Sequence, residues 1–268
     1  MPTITTNDDV ELYYETQGDG KPVLFVTGWS CSLNFFKKNI PDVAEDYQVI
    51  AVDYRGHGES ENPGHGYRIS RFAMDVKEIL DQLNVTDVTA VGWSMGAAVL
   101  WSYLELFGSD RISKLVSIDQ SPKQYIGPDW DWGQNSCYDV ESFIRLIKDI
   151  EHAEREVSEG LVDVCLNHEP TEEETSFLAD EIIKCSKTAK IEIMRDHTNL
   201  DWRDLLPEID IPTLVLVGRE SQVFPWEGSA YVGEQIPNAE TVFFEDEGHM
   251  LFWDNPAKFN EELKSFIS

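Results

Sequence analysis

The segment Gly92-Trp93-Ser94-Met95-Gly96 places a serine between two glycines in the spacing Gly-x-Ser-x-Gly. An apolar run at residues 88–91 precedes it, and a helix-like apolar stretch at residues 95–107 follows it. Glycines two residues before and after the serine permit a very tight strand-to-helix turn, because larger side chains there would clash. Such a turn projects the serine hydroxyl at the carboxyl end of a sheet, beside free N–H groups of a helix N-terminus. We therefore interpret Ser94 as a nucleophile.

A serine nucleophile needs a general base, and histidine is the side chain that most often serves. The histidines of the chain are His57, His65, His152, His168, His197 and His249. Only His249 lies between the last predicted strand and the last predicted helix, from where it can reach the serine across the sheet edge. We expect His249 to be the base. We expect His152, His168 and His197 to be solvated side chains rather than metal ligands.

Short apolar segments alternate with helical segments, which predicts an α/β fold with a mostly parallel sheet covered on both faces. The predicted strands are residues 10–16, 23–26, 47–52, 88–91, 114–118, 213–217 and 241–244. The predicted helices around this sheet are residues 69–83, 95–107, 227–235 and 256–267. The alternation stops between about residues 121 and 201, where acidic, amphipathic stretches predict helices at 140–150, 153–166 and 171–184. We interpret residues 1–120 and 202–268 as the sheet core and residues 121–201 as an inserted helical cap.

Composition limits the partners and the compartment. The 268 residues include 50 acidic and 21 basic side chains, a net charge of −29, which argues against nucleic-acid and anionic-membrane partners. No apolar run approaches the ~18 residues that span a bilayer, and no signal-peptide pattern is visible. The four cysteines, without a Cys-x-x-Cys pair, are interpreted as free thiols. These features predict a cytoplasmic protein.

The order of motifs along the chain resembles that of the α/β-hydrolase family. Thr27-Gly28-Trp29 follows an early strand, and residues 53–60 look like the family's Asp-x-Arg-Gly-x-Gly-x-Ser loop. The serine turn, the cap, a re-entering strand and Glu247-Gly248-His249 follow in the family's order. The Gly-Trp-Ser-Met-Gly turn looks most like the branch of arylesterases and cofactor-free haloperoxidases. The resemblance implies an α/β-hydrolase fold, a Ser–His–acid triad, and neither cofactor nor metal.

The acid of the triad is where the chain departs from the family pattern. The usual aspartate slot after the strand at 213–217 holds Ser221, and a neutral hydroxyl cannot stabilise an imidazolium as a carboxylate does. Asp119 stands at the carboxyl end of the preceding strand, about one strand spacing (~4.8 Å) nearer the serine turn. We expect Asp119 to be the acid. Glu220 and a site without an acid are the alternatives.

The resemblance also implies an oxyanion hole made by the backbone N–H groups of Trp29 and Met95. Four aromatic residues are candidates for the walls of the substrate pocket: Trp93, Trp130, Trp132 and Phe224. Trp93 lies in the serine turn, the next two lie at the start of the cap, and Phe224 lies near Ser221 in the usual aspartate slot. An aromatic pocket suits uncharged acyl or alkyl groups.

These residues predict a serine hydrolase that cleaves carboxylic esters of small, largely apolar molecules through an acyl-enzyme on Ser94. Lactone hydrolysis, perhydrolysis and C–C bond hydrolysis use the same residues and remain open. A ligand-binding or signalling protein with little turnover is the alternative from another class, because hydrolase folds host such roles. The sequence does not predict the oligomeric state.

Overall fold

The computed structural model describes residues 2–268, and within them the chain forms eight strands and ten α-helices. The strands are β1 (Thr3–Thr5), β2 (Glu11–Gln17), β3 (Pro22–Val26), β4 (Gln48–Val52), β5 (Val88–Trp93), β6 (Ile112–Ile118), β7 (Thr213–Gly218) and β8 (Ala239–Phe244). The helices are α1 (Ile40–Val43), α2 (Ile69–Gln82), α3 (Met95–Phe107), α4 (Val140–His152), α5 (Glu154–Cys165), α6 (Glu172–Ile183), α7 (Lys187–His197), α8 (Trp226–Gln235), α9 (Leu251–Asp254) and α10 (Pro256–Ile267).

All strands join one sheet in the order β1-β2-β4-β3-β5-β6-β7-β8. The first two pair antiparallel and the remaining six are parallel to one another, so the predicted mostly parallel sheet is confirmed. Parallel strands end at the same edge of a sheet. The segments that follow β3, β5, β6 and β7 therefore meet at one edge, where ligands bind in open α/β sheets.

The central strands are apolar along their whole length because both of their faces are buried. Val23 and Phe25 of β3 pack into one apolar cluster, and Leu24 and Val26 pack into another. Alternate residues of a strand point to opposite faces, so these two clusters are the layers on either side of the sheet. Helices α2 and α3 contribute to the layer that contains Leu24, and α9 and α10 contribute to the other.

Helices α4–α7 occupy residues 140–197, between β6 and β7. The sequence predicts the first three of them, within a few residues at each end, and misses α7 and the short strand β1. The division into a core and a cap stays a prediction. Among the helices formed by residues 2–268, none combines the length and the apolar character that crossing a bilayer requires.

A buried ion pair holds the loop after β4. Arg55 is fully buried, and its Nε and one terminal nitrogen each donate to the carboxylate of Asp75 in α2 over 2.7 Å. A charge removed from water needs such a bidentate partner. Asp53 in the same loop accepts the backbone N–H groups of Leu33 (2.7 Å) and Glu59 (2.9 Å). These contacts tie the loop to the segment that follows β3.

Candidate active site

Ser94 lies in a strained turn between β5 and α3. Its φ is +53° and its ψ is −127°, a backbone conformation that non-glycine residues rarely adopt and that costs about 1–3 kcal/mol. Because Met95 is the first residue of α3, its N–H has no partner within the helix. The turn therefore presents the serine hydroxyl and a free backbone donor side by side.

The glycines on either side of Ser94 are required by contact with the backbone. A Cβ at Gly92 would lie 2.6 Å from the backbone of Gly96, and a Cβ at Gly96 would lie 2.5 Å from the carbonyl oxygen of Val26. Both distances are far shorter than van der Waals contact. Hence the turn packs directly against the end of β3, as the motif predicts.

Strain recurs at the same edge of the sheet. Six residues other than glycine have a positive φ among those described, and three of them are Asn or Asp in surface turns at positions 9, 84 and 87. The other three are Ser30, Ser94 and Asp119, which follow β3, β5 and β6. Strained residues persist where the surrounding structure fixes them, and they concentrate at functional sites.

The structure brings His249 and Asp119 together. His249 Nδ1 lies 2.6 Å from Asp119 Oδ2, and the two residues are 2% and 0% exposed. Asp119 directly follows β6, whereas His249 lies in the histidine loop, residues 245–250, between β8 and α9. Glu220, the alternative acid, has an exposed side chain. Of the two carboxylates considered from the sequence, the structure places Asp119 against the imidazole.

Two further donors surround the Asp119 carboxylate. The Ser221 hydroxyl donates to Oδ2 over 2.7 Å, and the Ser229 hydroxyl of α8 donates to Oδ1 over 3.0 Å. Ser221 is the residue in the family's usual aspartate slot, so the position that normally supplies the acid here supplies a hydrogen bond to it. A buried carboxylate needs such donors, because burial without them disfavours the charged form.

Backbone hydrogen bonds connect the loops that carry these side chains. The N–H of Ser94 donates to the carbonyl of Ile118 over 2.8 Å, and the N–H of Asp119 donates to Leu216 over 2.9 Å. The Trp93 indole donates to the carbonyl of His249 over 3.0 Å. The ends of β5, β6 and β7 and the histidine loop are thereby fixed relative to one another.

The loop that contains Trp29 is held by a hydrogen bond to α7. Trp29 Nε1 donates to the carbonyl of Lys190 in α7 over 2.9 Å. A Cβ at the preceding Gly28 would lie 3.2 Å from Ser94 Cβ, so the loop approaches the serine closely. The Trp29 loop thus lies against Ser94, and Met95 directly follows Ser94 in the chain. The oxyanion hole formed by their N–H groups stays a prediction.

A small cavity of about 30 Å³ opens beside Ser94, with room for about two water molecules. Its walls are formed by Gly28, Trp29, Cys31, Trp93, Ser94, Met95, Gln120, Gln124, Gln134, Leu161, Cys165, Met194, His197, Val223, Phe224 and His249. Trp93 and Phe224, both pocket candidates from the sequence, are among them. Their ring centroids lie 5.3 Å and 5.7 Å from that of His249. Aromatic groups thus flank the imidazole.

Trp130 and Trp132 do not line this cavity, which corrects the expectation that they form part of the pocket. Both pack edge-on or tilted against Tyr231 of α8, with ring centroids 5.0 Å and 6.2 Å away. The Trp130 indole also donates to the carbonyl of Lys123 over 3.1 Å. The segment after β6 folds back onto α8, so nearness to the cap in sequence did not indicate nearness to Ser94.

The cavity also contains polar side chains that the sequence analysis missed. Gln120, Gln124, Gln134 and His197 are at most 8% exposed. His197 was expected to be solvated, but it lies on the buried side of α7. The spacing of Ala189, Ile193 and His197, four residues apart and all buried, is the signal that could have placed it there.

Each of these four side chains has a buried polar atom without a hydrogen-bond partner among the described residues. An unsatisfied buried polar group costs about 1–3 kcal/mol. All four side chains line the cavity beside Ser94, where water or a bound molecule can pair with them.

Two cysteines line the cavity as well, and neither is a competing nucleophile. Burial raises the pKa of the Cys31 and Cys165 thiols well above the ordinary range. The reactive form of cysteine is the thiolate, so both remain protonated and unreactive at neutral pH. Within residues 2–268, no group of three or more His, Cys, Asp or Glu side chains is arranged to hold a metal ion.

Comparison with known proteins gives the family. A profile of the alpha/beta hydrolase fold matches residues 21–256. The chain belongs to the α/β-hydrolase family. It is 30% identical to the non-heme chloroperoxidase CPO-A1 of Kitasatospora aureofaciens over 281 residues, which cover 100% of both chains. The family resemblance and the hydrolase class expected from the motifs are confirmed.

Solved structures agree with this assignment. An esterase of Exiguobacterium antarcticum superposes with a TM-score of 0.94 at 30% identity, covering 99% of this chain and 98% of that one. A bromoperoxidase of Bacillus anthracis superposes with a TM-score of 0.90 at 27% identity, covering 97% and 96%. The similarity to these structures includes the helices between β6 and β7, since it covers nearly the whole chain.

The buried imidazole of His197 predicts a measurable dependence of stability on pH. Burial lowers the pKa of His197 to about 4, whereas the unfolded chain binds this proton near pH 6.5. Between these values the unfolded state holds more protons, so acidification from pH 6.5 to 4 destabilises the fold by at most about 1.4 kcal/mol per pH unit for this group. His197→Gln should therefore lose less stability than the wild type between pH 7 and pH 5 in urea unfolding.

His65→Gln is the matched control, because His65 is exposed. Its unfolding free energy should follow the wild-type pH dependence. An equal pH dependence in His197→Gln and the wild type would show that His197 is protonated as readily in the folded protein as in the unfolded one.

Proposed function

We propose that this protein is a serine esterase in which Ser94 is the nucleophile, His249 the general base and Asp119 the acid that orients the base. The observation that carries the proposal is the 2.6 Å contact between His249 Nδ1 and Asp119 Oδ2, in a cavity that His249 shares with Ser94. A hydrogen bond at Nδ1 leaves Nε2 free to accept the serine proton.

In the first half of the reaction, Ser94 Oγ attacks the ester carbonyl carbon and His249 Nε2 takes the hydroxyl proton. The imidazolium keeps its Nδ1–H on Asp119, whose negative charge stabilises it. Charge develops on the carbonyl oxygen, where the N–H groups of Trp29 and Met95 and the N-terminus of α3 stabilise it. The tetrahedral intermediate collapses to an acyl-enzyme when His249 protonates the leaving alcohol.

In the second half, water attacks the acyl group while His249 Nε2 accepts a proton from it. The new tetrahedral intermediate uses the same two backbone donors. Its collapse returns the proton to Ser94 Oγ and releases the carboxylic acid. A small, uncharged molecule suits the site, since the cavity is narrow and its walls are aromatic, aliphatic and neutral polar side chains.

Residues 121–201 are proposed to act as a cap that selects substrates, while residues 1–120 and 202–268 carry out the chemistry. Support comes from the cavity walls: Leu161 and Cys165 of α5 and Met194 and His197 of α7 line the cavity of Ser94 from the inserted segment.

The four cysteines are all buried and unpaired. This supports our proposal that the protein works in a reducing compartment, the cytoplasm.

Replacement of Ser94 by alanine tests the nucleophile. Ser94→Ala should keep the fold and lower kcat for p-nitrophenyl ester hydrolysis by about 10³-fold or more, because the acyl-enzyme cannot form. It should also lose covalent labelling by a fluorophosphonate. Ser265→Ala is the control, since Ser265 is exposed on α10. Wild-type turnover in purified Ser94→Ala would refute the proposed function.

Replacement of Asp119 tests the acid. Asp119→Asn should fold and still bind substrate, yet lower kcat by about 10²–10⁴-fold, because the amide removes the stabilising charge and favours the wrong imidazole tautomer. Glu220→Gln is the matched control and should be nearly silent, since its side chain is exposed. Steady-state kinetics measure both. The opposite pattern would assign the acid to the loop after β7.

A further inference from the structure

The cavity beside Ser94 contains a cluster of neutral polar side chains that the proposed ester chemistry does not use. Gln120, Gln124, Gln134 and His197 are 1%, 2%, 8% and 4% exposed and all line the cavity. They come from two parts of the fold, the segment after β6 and the end of α7. Their convergence beside the nucleophile places them where a substrate binds.

Each of these side chains has one atom without a hydrogen-bond partner among residues 2–268. The unpaired atoms are Gln120 Oε1, Gln134 Oε1, Gln124 Nε2 and His197 Nδ1. Two of them are acceptors, one is a donor, and a neutral imidazole nitrogen serves in either role. The cluster therefore offers both donor and acceptor atoms to a ligand.

The positions of the glutamines are fixed by the backbone. The N–H of Gln134 donates to the carbonyl of Gln124 over 2.8 Å, so these two residues lie side by side. The Gln120 amide nitrogen donates to the carbonyl of Ser121 over 2.6 Å, which leaves its oxygen as the unpaired group. Preorganised groups of this kind discriminate strongly between substrates that pair with them and substrates that do not.

The cluster carries no charge, which restricts its ligand. Burial lowers the pKa of His197 to about 4, so the imidazole is neutral at pH 7, and glutamine has no charge at any pH. A carboxylate or ammonium group would enter this site without an opposite charge to pair with. An amide fits better, because it carries an N–H donor and a carbonyl acceptor on opposite edges of one planar group, so two side chains of the cluster can pair with it, one accepting and one donating.

A second cavity shows where the rest of such a molecule fits. It has a volume of about 230 Å³, and α4 and α5 supply most of its lining, including the charged Arg145 and Asp149 of α4. It shares Trp29, Gln134, Leu161 and Met194 with the cavity of Ser94. Gln134 therefore belongs to both, and a ligand that occupies both cavities contacts it.

We propose, on the basis of the esterase function proposed above, that the substrate is an ester bearing an uncharged amide group, which Gln120, Gln124, Gln134 and His197 bind. The remainder of the molecule is largely apolar, in keeping with the aromatic and aliphatic side chains in both linings, and its far end lies near Arg145 and Asp149 in the larger cavity. The cluster determines specificity and takes no part in proton transfer.

Two pairs of isosteric esters test the proposal. Ethyl N-acetylglycinate and ethyl 4-methylpentanoate have the same acyl skeleton with and without the amide. The second pair consists of the acetate of N-(2-hydroxyethyl)acetamide and the acetate of 4-methylpentan-1-ol. Here the alcohol part of the ester carries or lacks the amide. Each kcat/KM is divided by the rate constant of hydroxide hydrolysis of that ester, which removes differences in intrinsic reactivity. The wild type should prefer the amide by about tenfold or more in at least one pair.

Gln124→Met and Gln134→Met should reduce that preference to within about threefold of unity, because methionine has a similar shape but neither donates nor accepts as an amide does. Gln17→Met, at an exposed position of β2, is the matched control and should keep the wild-type preference. Fluorophosphonate labelling of Ser94 reports whether each variant is folded.

No preference for the amide in either pair, or a preference that survives in both folded variants, would overturn the proposal. Calorimetric Kd values of the same esters for Ser94→Ala give the preference without turnover. If no ester is hydrolysed by the wild type, the esterase proposal fails, and these Kd values alone decide whether the cluster binds an amide. Hydrolysis without amide preference overturns only the substrate proposal.

Discussion

A buried carboxylate can hold a buried imidazole only where other donors surround it and the backbone keeps both in place. Asp119 meets this requirement, since the Ser221 and Ser229 hydroxyl groups donate to its two oxygens while His249 approaches Oδ2. The sheet order makes the arrangement possible, because β6 lies between β5, which is followed by Ser94, and β7, which is followed by Ser221. At the end of β6, Asp119 lies one strand closer to Ser94 than a residue at the end of β7.

The backbone around this arrangement is strained. Ser30, Ser94 and Asp119 all have positive φ angles at the carboxyl ends of parallel strands. The two apolar layers and the hydrogen bonds between neighbouring strand ends hold these residues in place, as the bond from the Asp119 N–H to Leu216 illustrates. Strain of this kind is stable only in a rigid setting, and a rigid setting is what preorganised backbone donors need in order to stabilise developing charge.

The sequence predicts those elements that depend on residues close to one another in the chain. Helix α3 and the turn before it were predicted from two glycines and an apolar run, and Asp119 was singled out because it ends a strand next to that turn. Trp130 and Trp132 were misplaced, since distance along the chain does not say how an irregular segment folds back, here onto Tyr231. The polar cluster was missed for a related reason: glutamines in a connecting segment are usually solvated, and only the tertiary fold buries Gln124 and Gln134. The prediction that His197 is solvated is wrong because the sequence pattern does not predict α7, although Ala189 and Ile193 mark the buried side of that helix.

The central claim is that Asp119 holds His249 while the Trp29 and Met95 amides bind the oxyanion at Ser94. A crystal structure of the enzyme with Ser94 covalently phosphonylated tests it most directly, because the phosphonyl group mimics the tetrahedral intermediate. The account predicts a phosphonyl oxygen within about 3 Å of both amide nitrogens, and His249 Nδ1 still within hydrogen-bond distance of Asp119 Oδ2. An oxygen bound elsewhere, or an imidazole that leaves Asp119 for another carboxylate, would contradict it.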